Sequence, residues 1–223
     1  MGASHMMSTS VQKTASFLAR LHMAVEIACS EAGFSGDRLP INDGVFLISK
    51  SRTEIMTVVR SILALMALSF IATQRPQDRC LMRGAIAFGP VHFGRDLLPH
   101  VGSKKLRSTP GFLGHVAFGH LIARAYQTEG TSVPYGIAIH ESARAFAPSG
   151  SAPFRMKHWL WWANHSEMAP PKNVPPLATL KDCLQEEFLA HFAWLRSSLV
   201  FHGISSDKIG VWEGIVSEYY SLG

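Results

Sequence analysis

Cysteine is scarce in this chain of 223 residues: three, at Cys29, Cys80 and Cys183, far apart and with no CxxC spacing. An odd, scattered set of this kind argues against a disulfide framework, a zinc ribbon or a redox pair, and it fits a reducing, cytoplasmic setting. Acidic side chains are also short in supply, with 16 Asp and Glu against 21 Lys and Arg, a formal net charge of +5. No internal repeat or low-complexity tract occurs, and no basic segment leading into an apolar one marks a secretory signal. Residues 1–10, MGASHMMSTS, read as a disordered or tag-derived start, with translation beginning at Met6 or Met7. Long apolar runs are absent too. The most apolar stretch, SILALMALSFIA at residues 61–72, is far shorter than the roughly twenty residues a bilayer span needs, so it is expected to be a buried helix and no membrane span is expected.

What the chain does have is apolar content, 47% of its residues, enough for a sizeable core. The positive balance suits an anionic partner. The cations are nonetheless spread along the chain, densest at Lys104-Lys105-Leu106-Arg107. A nucleic-acid-binding domain needs a continuous basic face, so no nucleic-acid partner is expected.

Apolar residues at Val11, Leu18, Leu21, Val25 and Ala28, ending at Gly33, predict an amphipathic helix over Val11–Ala32. Residues 37–49 predict two strands meeting at Asn42-Asp43-Gly44, and Leu47-Ile48 in succession imply burial on both faces. A second helix is expected over 53–73, stopped at Pro76, and then a strand over 80–93 that turns back at Gly89-Pro90 as a hairpin. A third helix is expected over 116–129 and a further strand over 135–140. This alternation predicts an α/β (α+β) fold, a mostly antiparallel sheet with helices on one face. Beyond residue 147 the composition turns to Pro, Ser and Trp, with HWLWWANH at 158–165. A long helix follows, carrying Leu177, Leu180, Leu184, Phe188, Phe192, Leu195 and Leu199 on one stripe. Residues 11–147 are therefore expected to be the core and 148–223 a helical C-terminal extension packed on it.

Three segments, in order, resemble class III nucleotidyl cyclases: Asn42-Asp43-Gly44-Val45-Phe46, Arg83-Gly84-Ala85-Ile86-Ala87-Phe88-Gly89, and the 119–129 helix followed by Pro134-Tyr135-Gly136-Ile137-Ala138-Ile139. The chain is most similar to the compact pyrimidine cyclases of bacterial Pycsar anti-phage systems, in the Arg-Gly strand and in Ala125-Tyr126-Gln127-Thr128-Glu129. The resemblance implies a ferredoxin-like cyclase core. It implies conversion of CTP or UTP to the 3′,5′-cyclic nucleotide (cCMP or cUMP) and pyrophosphate, with Mg2+ or Mn2+. It also implies a homodimer and a separate effector protein that answers the cyclic nucleotide in defence. In-line attack of the ribose 3′-oxygen on the α-phosphate uses two carboxylate-held metal ions, which favour hard oxygen ligands. The resemblance makes Asp43 the second of these carboxylates, with Arg83 and Gly44 as substrate contacts. The first carboxylate belongs to a strand ahead of the first helix, and that strand is expected to be lacking here. Ala123 and Gln127 fall where the family's helix carries Asn and Arg, with Arg124 expected on another face.

Plainer readings stand beside these. Asn-Asp-Gly is good hairpin chemistry by itself, Gly84 and Gly89 serve close backbone packing, and Lys104, Lys105 and Arg107 form a solvated loop. His115 and His120 are five apart and share no helix face, so no histidine metal site is expected. Trp159, Trp161 and Trp162 are expected to pack rather than stack a base. The competing function is a catalytically silent cyclase-like domain that binds nucleotide or a partner.

Overall fold

The structure, a computed structural model, describes residues 10–41, 43–100, 102, 104–108, 110–114, 116–144, 158–163, 168–199 and 204–222. Asn42 of the expected turn, His115 and the expected boundary at 147 lie outside the described residues. The chain is mixed α/β, as expected, and mostly helical. It forms two compact units, the first of residues 1–83, 133–136 and 160–223, the second of residues 84–132 and 137–159.

Unit 1 begins with α1, Val11–Ala32. The Ser10 hydroxyl caps it by accepting the Lys13 N–H, and Gly33 closes it at φ 62°, a left-handed conformation that costs glycine little. Its buried stripe is Phe17, Leu21, Ala24, Val25 and Ala28. Phe17 thus takes the place expected for Leu18, and Val11 in the first turn is 80% exposed. Strands β1 (Asp37–Ile41) and β2 (Gly44–Ile48) pair antiparallel. The burial expected on both faces of β2 is corrected, since all five of its residues are only half-buried.

Helix α2, Arg52–Ala72, starts at Ser51, whose hydroxyl accepts the Glu54 N–H, and buries Met56, Val58, Ile62, Leu63, Met66 and Phe70. The helix is 21 residues long and contains the apolar run 61–72. By length and composition it is the one described helix able to cross a membrane, and 56% of its most apolar window is buried within the protein. A short 3-10 turn at Pro76–Asp78 ends this segment. The unit is completed by two helices of the C-terminal part, here α7 (Leu177–Ser197) and α8 (Ser206–Tyr220), numbered after the helices of unit 2.

Helix α7 buries Leu180, Leu184, Phe188, Phe192 and Leu195, five of the seven residues on its expected stripe. Phe188 packs on Phe70 of α2 with ring centroids 5.0 Å apart. Trp161 and Trp162 are packing residues, as expected. Trp162 stacks on Tyr220 at 4.8 Å, and the Trp161 indole N–H donates to the Tyr135 carbonyl at 2.7 Å. Tyr135 holds φ 52°, unusual for a side chain of its size. It is secured because its hydroxyl, at 3.0 Å from the Cys80 carbonyl, is buried with it. Each such apolar side chain contributes about 1.5–3 kcal/mol by leaving water.

Unit 2 holds β3 (Gly84–Ile86), β4 (His92–Phe93), a 3-10 turn at Gly94–His100, α3 (Lys104–Arg107), α4 (Pro110–Gly114), β5 (Ala117–Phe118), α5 (His120–Glu129), β6 (Ile137–Ile139), α6 (Glu141–Arg144) and β7 (His158–Trp159). Two expectations are corrected here. The hairpin at Gly89-Pro90 does not form: β3 pairs parallel with β6, while β4 pairs antiparallel with β5. Proline has no N–H for a ladder and Gly89 sits at φ 155°, so the chain leaves one sheet there and enters another. The helix expected from residue 116 begins only at His120, because Gly119 at φ 135° lies outside helical geometry. The described strands form three small sheets, β1-β2, β3-β6-β7 and β4-β5, in place of one.

Candidate functional site

The hairpin that carries Asp43 is closed by the Ile41–Gly44 pair, with Asp43 in the short turn between them. Asp43 is exposed at the tip. Neither β1 nor β2 pairs with another described strand. Both are edges, which is where Pro40 of β1 is tolerated. The hairpin is positioned from its base. Glu54 accepts the Ser35 N–H, the Ser35 hydroxyl at 2.9 Å and the Ser49 hydroxyl. Donation first by the Ser35 backbone, then by Ser49, holds the Glu54 carboxyl below the usual carboxylate range. Arg38 of β1 adds an ion pair to Glu26 of α1 at 2.8 Å.

Gly44 is not required by geometry. A Cβ there would meet nothing closer than the Ile41 carbonyl at 3.8 Å, and its φ is not positive. At Gly36, by contrast, a Cβ would lie 2.1 Å from the Ile48 carbonyl, so this glycine lets the chain pass under β2. Asp37, the other acid of the hairpin, pairs with Ile48 four rungs from the tip, roughly 13 Å away at strand rise.

Arg83 is exposed and immediately precedes β3, a strand of the β3-β6-β7 sheet and not of the hairpin sheet. A Cβ on Gly84 would come within 2.7 Å of the Ile137 side chain on β6, which supports its reading as a close-packing position. On α5, Ala123, Arg124 and Gln127 are all exposed, so Arg124 shares the outward face with the other two. Lys104 and Lys105 are exposed on α3. Among the described residues no group of three His, Cys, Asp or Glu is placed to hold a metal ion. Burial pushes the Cys29 and Cys80 thiols up, which leaves them protonated packing groups.

Two side chains that hold the fold have no role in the sequence reading. Arg60 is buried on α2, where Nε donates to the Trp161 carbonyl at 2.9 Å and a terminal nitrogen to that of Ala163 at 2.7 Å. An arginine immediately before the apolar run of α2 was the available signal. His191 is fully buried against the rings of Phe70, Phe192 and Trp194. It falls on the α7 stripe at helical spacing, one turn past Phe188. Scans against protein-family models, curated proteins and solved structures each return no match for this chain.

Proposed function

We propose that the chain is a nucleotide cyclase, converting CTP or UTP to the 3′,5′-cyclic nucleotide and pyrophosphate. The observation that carries this reading is Asp43, a carboxylate exposed in the short turn of a hairpin that follows the first helix and precedes Arg83-Gly84. A ferredoxin-like cyclase core belongs to the same proposal, as do the homodimer, the separate cyclic-nucleotide effector and a role in anti-phage defence.

The fit to a divalent ion is half of what such a site uses. Asp43 offers hard oxygen to Mg2+ or Mn2+, but it is the one acid among the described tip residues Ile41, Asp43 and Gly44, and among the described residues no group of three His, Cys, Asp or Glu is placed to hold a metal ion. No catalytic step is therefore derived through the ion. In this reading Asp43 takes hold of a nucleoside triphosphate that arrives with its own metal, and Arg83 neutralises phosphate oxygens. That missing partner favours a second reading, a silent nucleotide-binding domain.

The test is incubation with each nucleoside triphosphate and Mn2+, followed by separation of cyclic nucleotide and assay of pyrophosphate. The expected result is product from a pyrimidine nucleotide, lost by about a hundredfold or more in Asp43→Ala, as typical for removal of a charge-stabilising group. Nucleotide binding without any product supports the silent domain. Product undiminished in Asp43→Ala removes Asp43 from the site.

A further inference from the structure

Helices α1 and α2 lie side by side in unit 1 and leave an open groove of about 180 Å³ between them. Its floor is Ala24 and Met66, both buried, and its rims are Met23 and Ile27 on α1 and Leu65 on α2. Positions 20, 23, 24 and 27 share one face of α1, so the groove follows that helix, which rises about 10 Å from Arg20 to Ile27. Met23 is 62% exposed and Ile27 39%, two large apolar side chains one turn apart that the fold leaves in water. Arg20 and Ser69 close one end. The Arg20 guanidinium donates to the Ser69 and Thr73 hydroxyls at 3.4 and 3.3 Å and to the Ser16 and Asp78 carbonyls at 3.3 and 3.5 Å, every one a long contact to a neutral oxygen. The Asp78 carboxylate is taken by Lys13 at 2.7 Å, and among the described residues no carboxylate pairs with Arg20. An arginine without a counter-charge thus stands at the end of an apolar trough.

We infer that this groove binds a medium-chain fatty acid, its alkyl chain along Met23, Ile27 and Leu65 and its carboxylate on Arg20. A carboxylate accepts two parallel N–H bonds from a guanidinium, and these are stronger than the long neutral contacts they replace. The tail takes the exposed methionine and isoleucine out of water. Volume sets the size of the ligand. A cavity of about 150 Å³ admits a benzene ring, so this groove holds one short alkyl chain and not the two long chains of a phospholipid. A second copy of the chain would bring the same patch against itself in a two-fold contact. The lining of the groove holds no acid to answer Arg20, so charge complementarity selects the free fatty acid over a second copy.

The experiment is isothermal titration calorimetry of the full chain with hexanoate, octanoate and decanoate, each below its own aggregation concentration, and with octylamine as the cationic control. Affinity should rise about fourfold for each methylene added, and octylamine should bind at least about tenfold more weakly than octanoate. Arg20→Gln should weaken octanoate about tenfold, with a smaller loss in Arg20→Lys, which keeps the charge. Ile27→Asn should weaken decanoate about tenfold, and Asp43→Ala should leave every affinity unchanged. Circular dichroism confirms that each variant is folded. The inference is overturned by no saturable binding of decanoate at about 1 mM, by octylamine matching octanoate, or by Arg20→Gln without effect. Sedimentation supplies the remaining arms. A dimer that Ile27→Asn dissociates would assign the groove to a second copy, and pelleting with phosphatidylglycerol vesicles without uptake of the free acids would assign it to a lipid surface; either result overturns the fatty-acid site.

Discussion

Glu54 shows how one side chain can secure a candidate site without belonging to it. Its backbone N–H donates to the capping Ser51 hydroxyl at the start of α2, and its carboxylate receives three donors from Ser35 and Ser49 at the base of the hairpin. Its folded carboxyl is held below the ordinary value of 4.5. A depressed acid contributes stability above its unfolded value and loses it as pH falls through the folded one. Glu54→Gln should therefore melt lower than the parent at neutral pH, and the gap should close as pH drops below 4.5. Thermal melts across pH measure this, and a gap independent of pH would contradict it. Arg60 is the second case. Its guanidinium is buried and stays charged, with burial lowering its affinity for the proton. Arg60→Met keeps most of the stem but strips donors from the Trp161 and Ala163 carbonyls. The expected cost is about 2–4 kcal/mol, read from urea unfolding as a lower midpoint at unchanged slope.

At the scale of elements, the helices are governed by which stripe is covered. Phe188 is fully buried on α7 while its neighbour Leu189 is 48% exposed. Phe188→Ala should cost about 3–5 kcal/mol and Leu189→Ala less than about 0.5. Chemical denaturation of the pair checks the phase of the helix. Similar losses in both would mean that α7 is rotated from the position described. Strands depend more on breakers than on apolar content. Gly119 leaves residues 116–119 out of the expected third helix, and Gly89-Pro90 divides the 80–93 segment between two sheets.

For the whole molecule, burial is uneven. Unit 1 packs Phe70, Tyr135, Trp161, Phe188, Phe192 and Tyr220 at under 3% exposure, and unit 2 buries β6 and Trp159, whereas β4 and β5 are two residues each and α5 buries none of its residues fully. Amides opening from α2 and α7 should therefore exchange most slowly and those of β4, β5 and α5 much faster. Hydrogen exchange followed by mass spectrometry measures the order. Faster exchange in α2 than in α5 would contradict it.

The sequence alone determined what depends on short spacings. Helical periodicity ending at Gly33 located α1 to the residue, Asn-Asp-Gly located the hairpin, and the leucine and phenylalanine stripe located α7. These signals are local because hydrogen bonds and caps join residues a few positions apart. Tertiary structure decided the rest. It chose β6 over β4 as the partner of β3 and placed Arg60 on carbonyls a hundred residues away. It also left Asp43 exposed while setting Asp37 at the far end of the same hairpin. Strand partners and the neighbours of a carboxylate are selected by burial and by pairing between distant segments, and neither is written in the spacing of residues along the chain.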